Sequence, residues 1–250
     1  MRATRLVNRS RRARRRRALV AACAVCAALV APAAAGAKLP GIDVSNHQGE
    51  IDWGEVARSG ERFAIVKASE STNFVDKWYE SNRSGADKRD VKLGAYHYAR
   101  PSGGKESHIA DDAKAEAKHF LRIAKPRSGD LLPMLDLEDA GSLNPDELRY
   151  WAKKWLRKVD REVGVKPMIY TYPSFWHVQM DNTQFFAKRG YEALFIANYE
   201  VKRPDVPADN WDGEGWTFWQ YTSCGKVPGI KGCVDRDFYK HKSFNRVEIP

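Results

Sequence analysis

The residues best suited to chemistry are carboxylates set into apolar strands. In Leu132-Pro133-Met134-Leu135-Asp136-Leu137-Glu138-Asp139, the two-residue period of a strand sends Leu135 and Leu137 to one face and Met134, Asp136 and Glu138 to the other. Asp136 and Glu138 then share a face, with α-carbons roughly 7 Å apart. Gly41-Ile42-Asp43-Val44-Ser45 and Val234-Asp235-Arg236-Asp237-Phe238 repeat the device, each setting an acid among apolar neighbours. Burying like charges together is costly and no fold requires it. The grouping therefore points to use: mutual repulsion lifts the pKa of one member, and a carboxyl that keeps its proton near neutrality is what a general acid needs. For Asp43 or Asp235 taken singly, a loop cap or an arginine partner is the competing reading.

Aromatic and amide side chains fall near the same strand ends: Tyr96, Tyr98, Tyr170, Tyr172, Tyr199 and the run Trp219-Gln220-Tyr221. Flat rings beside carboxylates suit sugars, whose C–H faces pack on aromatics while their hydroxyls reach the acids. Other chemistries find little support. The chain has no Gly-x-Ser-x-Gly elbow and no phosphate-cradling glycine loop, and its six histidines lack metalloprotease spacing. Neither a metal nor a cofactor is expected.

These residues need elements to hold them. Apolar runs at Leu39–Ser45, Phe63–Ser69, Leu93–Ala99, Pro133–Asp139, Pro167–Tyr172, Leu194–Tyr199, Thr217–Thr222 and Cys233–Phe238 predict eight strands. Helical periods fall between the first five, at 53–59, 77–86, 108–124 and 145–163. The last opens with Asn144 as cap, Pro145 in the first turn and Glu147 in the capping-box position, and Gly164 ends it. A short helix is expected at 185–190, and loops between the last three strands. The pattern predicts an α/β fold: an irregular TIM-like barrel with helices in the first five crossovers, (β/α)5(β)3. Such barrels carry chemistry at the carboxyl ends of their strands. Closure would also set Asp43 and Asp235 side by side, on the first and eighth strands.

The formal charge of +10 is misleading. Nine arginines and no acid lie in residues 1–37, so from Lys38 onward 33 basic residues face 32 acidic ones. That excludes nucleic acid as the expected partner. The arginine-rich head, the apolar run 18–31 and the small residues through Ala37 predict a secretory signal with cleavage after Ala35 or Ala37, too short for a retained span. Residues 38–250 form the expected catalytic domain: exported, monomeric and free of membrane. At 43% hydrophobic and 30% charged, the composition excludes a disordered or fibrous chain. The two cysteines left in the domain, Cys224 and Cys233, are expected to pair, which stabilises by roughly 2.7 kcal/mol through loop closure.

The run from Gly41 to Trp53, Gly-Ile-Asp-Val-Ser-Asn-His-Gln-Gly-Glu-Ile-Asp-Trp, resembles the opening signature of glycoside hydrolase family 25, the Chalaropsis-type lysozymes. Later blocks agree in order: Val66-Lys67-Ala68-Ser69-Glu70, Gly94-Ala95-Tyr96-His97-Tyr98, Asp136-Leu137-Glu138, Ile169-Tyr170-Thr171, Ala197-Asn198-Tyr199, Trp219-Gln220-Tyr221 and Val234-Asp235. The resemblance covers residues 39–240. It implies hydrolysis of the β-1,4 bond between N-acetylmuramic acid and N-acetylglucosamine in peptidoglycan. It also implies Glu138 as catalytic acid, Asp136 as its partner, and Asp43 and Asp235 as flanking acids. Glu70, Tyr96, Tyr98, Tyr170, Tyr199, Trp219 and Gln220 are the expected substrate contacts. Two positions depart from the family pattern: Ser71, where glycine is common, and Asp237, where asparagine is common.

Two routes stay open for the chemistry. Asp136 could orient the substrate's own N-acetyl carbonyl for attack, with retention, or a carboxylate could activate water, with inversion. The i, i+2 placement of Asp136 and Glu138 favours the first, because two acids on one strand are badly placed to flank opposite faces of a bond. A barrel that binds glycan without cutting it, and a chitinase-like hydrolase, are the competing functions.

Overall fold

Alternation along eight short strands decides which side chains line the interior of this protein and which meet its helices. The computed structural model describes Met1 and residues 38–250; the expected secretion segment, Met1 apart, lies outside the described residues. The strands are β1 (Leu39–Val44), β2 (Phe63–Glu70), a two-residue β3 (Phe74–Val75), β4 (Lys92–Tyr98), β5 (Met134–Asp136), β6 (Met168–Thr171), β7 (Leu194–Ala197), β8 (Phe218–Gly225) and β9 (Val234–Tyr239). Neighbours run in the order β1-β9-β8-β7-β6-β5-β4-β2, and β1 also pairs with β2. That closes an eight-stranded barrel. Among these eight barrel strands β9 alone runs against its neighbours, pairing antiparallel with both β8 and β1. β3 folds back on β2 as an antiparallel flap.

Helices α1 (Trp53–Arg58), α2 (Tyr79–Asp87), α3 (Glu106–Ala124), α4 (Pro145–Val163) and α5 (Pro173–Gln179) fill the five crossovers between parallel strands up to β7. α4 carries the predicted capping box, with the Asn144 side chain accepting from the Asp146 and Glu147 amides, and ends at Gly164 with φ 80°. Two helical expectations need correction. The helix of the fifth crossover is α5, started by Pro173 directly after β6; the segment near 185–190 holds only a 3-10 turn, Ala187–Arg189. The β7–β8 connection is not a plain loop either, because Pro207–Asp212 forms a turn whose residues 208–211 all have left-handed φ and ψ.

Two cores result. Outward-facing Ile42, Val44, Val66, Leu135, Leu137, Ile169 and Ile196 pack against Trp151, Trp155, Leu148 and Phe120 of the helices. Inward-facing Phe63, Ile65, Met134, Met168, Phe195, Phe218 and Tyr239 fill the barrel. The Phe63–Phe218, Phe195–Phe218 and Phe218–Tyr239 rings stand 5.1, 5.3 and 4.8 Å apart, an aromatic floor beneath the carboxyl end. Cys224 and Cys233 form a disulfide bridging β8 to the start of β9.

Candidate active site

Above that floor the inward positions turn polar. Asp43, Lys67, Tyr96, Tyr98, Asp136, Glu138, Tyr170, Tyr199, Gln220 and Asp235 line one cavity of about 280 Å³ at the carboxyl ends of the strands. The four acids foreseen from strand alternation are thus brought together. β5 ends at Asp136, shorter than expected, but Leu137 N–H still donates to Tyr170 O at 3.0 Å, so the ladder's direction persists and Glu138 points inward. Asp43 is the register partner of Asp235 across β1 and β9, as barrel closure requires.

Gln220 organises the wall opposite Glu138. Its Nε2 donates to Asp43 Oδ2 at 2.6 Å, and its Oε1 accepts from the Tyr170 hydroxyl at 3.0 Å and from the Tyr199 hydroxyl. Tyr96 and Tyr170 are buried, whereas Tyr199 is 40% exposed, so the first two support the cavity and the third borders its opening. Lys67 also points inward among the acids. Its Nζ bonds Glu70 Oε2 at 2.6 Å and sits 4.8 Å above the Tyr98 ring. Arg100 clasps the other side of Glu70 at 2.8 Å and reaches Asp139 at 2.6 Å. Glu70 is therefore placed behind Lys67, at the rim, where it anchors cations and does not line the cavity.

Trp219, like Glu70, is an expected substrate contact that does not line the cavity. Gln220 faces inward, so the pleat turns Trp219 out; its Nε1 donates to Asn198 O at 2.8 Å, and its ring packs against Phe238 and Tyr221. Two groups escaped the sequence reading. Lys67 obeyed the same rule as the acids, an ionisable residue breaking an apolar strand. His97, on the outer face of β4, forms a sealed chain in which Ser69 Oγ lies 2.9 Å from Nδ1 and Glu116 Oε2 lies 2.8 Å from Nε2.

Burial and crowding set the charges. Asp136 is held well above the usual carboxylate range by burial, reinforced by the charges of Glu138 and Asp43. Burial also raises Glu138, against the pull of a Tyr98 hydrogen bond and of Lys67 and Arg100. Asp235 is pushed up to about 6 by burial, with Glu138 adding to it. Asp43 is raised by burial and by Asp235, and lowered by its bond from Gln220. Burial lifts Glu70 too, but its bonds to Lys67 and Arg100 outweigh this and hold it below its ordinary value. The cavity thus pairs proton-holding carboxyls with neighbours that stabilise positive charge, the equipment of acid catalysis at a glycosidic bond.

Comparison with known proteins agrees. Residues 42–230 match the model for the glycosyl hydrolases family 25. The Escherichia coli O157:H7 protein YegX, itself uncharacterized, is 35% identical over 202 residues, which cover 79% of this chain and 68% of that one. Lysozyme M1 of Streptomyces globisporus is 31% identical over 205 residues, 80% of this chain and 67% of that one. A crystal structure of the bacterial lysozyme from Streptomyces coelicolor matches with a TM-score of 0.74 at 29% identity, over 83% of this chain and 94% of that one. The chain belongs to the glycosyl hydrolases of family 25 and is a glycoside hydrolase.

Proposed function

We propose that this chain is an exported 1,4-β-N-acetylmuramidase that hydrolyses the bond between N-acetylmuramic acid and N-acetylglucosamine in peptidoglycan. One observation carries the reading. Glu138 lines the carboxylate cavity and also two adjoining hollows of about 500 and 470 Å³, one walled by Gly141, Phe175 and Val178, the other by Tyr172, Asn198 and Tyr199. A glycan laid through these hollows has a glycosidic oxygen at Glu138, with sugars on both sides. The lysozyme names of relatives support the substrate class.

Glu138 gives its proton to the leaving oxygen. The positive charge that develops on the cleaved sugar is met by the Asp43 and Asp235 carboxylates. Asp136, buried beneath Glu138 with its Oδ1 lacking any partner among the described residues, is placed to hold the substrate's acetamido group while its carbonyl attacks. Water then opens that intermediate with net retention, and its proton returns to Glu138. Export rests on the signal-like residues 1–37 and on the Cys224–Cys233 disulfide, which suits an oxidising compartment.

The test is digestion of purified peptidoglycan with chitin in parallel. Mass spectrometry of released muropeptides should find N-acetylmuramic acid at the new reducing ends. N-acetylglucosamine there, or faster cleavage of chitin, would overturn the substrate assignment; no new reducing ends would leave a binding barrel. NMR of the first product should find the retained anomer, and an inverted one rejects the acetamido route.

A further inference from the structure

Beneath Asp43 lies a carboxyl that the proposed chemistry leaves unused. Asp237 points into the barrel from β9, in register with Gly41 on β1 and Gln220 on β8. It is fully buried, and neither of its oxygens has a donor among the described residues. Gly41 offers no side chain, and a Cβ there would lie 2.4 Å from the Phe63 ring. Below stand Phe63, Phe218 and Tyr239, all wholly buried. The charged or titratable groups that face Asp237 are Asp43 on β1, Asp235 on its own strand and Glu61 ahead of β2. All are acids, and Arg236, the nearby cation, sends Nη2 to Glu61 at 2.8 Å while its Nε, without a partner among the described residues, makes no bond to Asp237.

An ionised Asp237 in that setting would be a buried anion among anions, an arrangement that proteins resolve by keeping the proton. A neutral carboxyl must then place its O–H. Gln220 Oε1 is filled by two tyrosine hydroxyls, while Asp43 lies within hydrogen-bonding reach and has lone pairs left after its bond from Gln220. We propose that Asp237 is a positioning residue that stands as a neutral acid and donates a hydrogen bond to Asp43, fixing that carboxylate toward the cavity and keeping it ionised. Asp43 then has two donors, the Gln220 amide and the Asp237 acid, against burial and the charge of Asp235. Burial first, then the charges of Asp43, Asp235 and Glu61, hold Asp237 well above the carboxylate range, in keeping with this role.

The proposal rests on the muramidase reading for its kinetic arm but not for its spectroscopic one. Asp237→Asn keeps a donor in the same shape; Asp237→Ala removes it. The Asn variant should keep the acidic limb of the kcat/KM profile in place. The Ala variant should move that limb up by about one pH unit, a loss of about tenfold at pH values below it, because Asp43 without this donor binds its proton more tightly. A wild-type profile for Ala, or an equal shift in both variants, overturns the idea. The infrared difference between wild type and the Asn variant at pH 7 needs no substrate and decides the matter if Ala does not fold. A protonated-carboxyl C=O band lost on substitution is expected, and loss of a carboxylate band instead refutes it.

Discussion

Two clusters of titratable side chains lie back to back across β4, and only one is equipped to meet a substrate. Tyr96 and Tyr98 face inward onto Asp136, Glu138, Asp43 and Asp235, around an open cavity. His97, between them in sequence, faces outward onto Glu116 of α3 and Ser69 of β2, in a chain whose residue types and distances would suit nucleophilic catalysis. All three of its members are 0% exposed, and His97 is stacked on Trp155 at 5.6 Å. The constellation is therefore a polar strut between barrel and helix. Burial drives His97 well below its ordinary value and lifts Glu116 to about 8, so at neutral pH their contact joins two neutral groups: Glu116 donates to Nε2 and Nδ1–H donates to Ser69. Access, not residue type, separates the two clusters.

The largest effect should come from the open one. Glu138→Gln keeps shape and removes the proton, so turnover on cell walls should fall by about 10³-fold with the melting temperature unchanged. Near-wild-type lysis by this variant would end the acid assignment, and with it the contrast between the clusters.

The sealed cluster should answer in stability instead. Glu116 has a folded-state pKa near 8 against an ordinary 4.5. Its protonated form favours folding, so this contribution is complete below about pH 4.5 and drains away as the pH rises through 8. Glu116→Gln can still donate to His97 but cannot ionise, and it gives up the bond from the Arg100 amide, which falls on the same oxygen. Between pH 5 and pH values above 8 it should therefore gain on wild type by on the order of 4 kcal/mol, roughly 10 °C, with the lost Arg100 bond a constant offset at both ends. Parallel melting curves across pH would show the strut does not titrate. A large fall in activity per folded molecule at pH 7 would show that the two clusters are coupled.

A finer effect separates acids within the open cluster. Asp235 titrates near 6 and raises Asp43 by its charge. As the pH falls through 6 the Asp235 carboxylate, which in the proposed mechanism supports positive charge, is neutralised, giving the acidic limb of the kcat/KM profile. Asp235→Asn should lower kcat/KM at pH 7 by about 10- to 100-fold and move that limb to lower pH, since Asp43 then ionises more readily. An unmoved limb would assign it to another group.

How much of this was legible in the sequence follows from the same contrast. Period-two alternation fixes which face a strand residue takes, so the sequence alone assigns Asp43, Asp136, Glu138 and Asp235 to one mouth. The identical rule, applied to Lys67, would have found the cation among them. Applied to Trp219 beside Gln220, it would have removed the tryptophan from the substrate contacts; aromatic clustering outvoted it. The Ser69–His97–Glu116 strut was out of reach, because Glu116 belongs to a helix and only tertiary packing sets it against β4. α5 was hidden by length, since seven residues carry too few turns for a helical period, although Pro173 marked its start.

The smallest effect lies at the edge of the open cluster, next to Glu70. Ser71 has φ 52°, in the left-handed region, and its N–H donates to Tyr98 O at 3.3 Å. That conformation costs a side chain about 1–2 kcal/mol, and glycine escapes the cost while giving back about half through the entropy of its unfolded state. Ser71→Gly should therefore stabilise by roughly 0.5 kcal/mol, a rise of 1–2 °C in melting temperature. The backbone path at this turn sets Glu70 against Lys67 and Arg100, and glycine can follow the same path, so kcat should not change. A loss of activity alongside the gain in stability would mean that the strained serine holds the Lys67–Glu70 pair in its working position, and that the open cluster extends one residue further than its cavity.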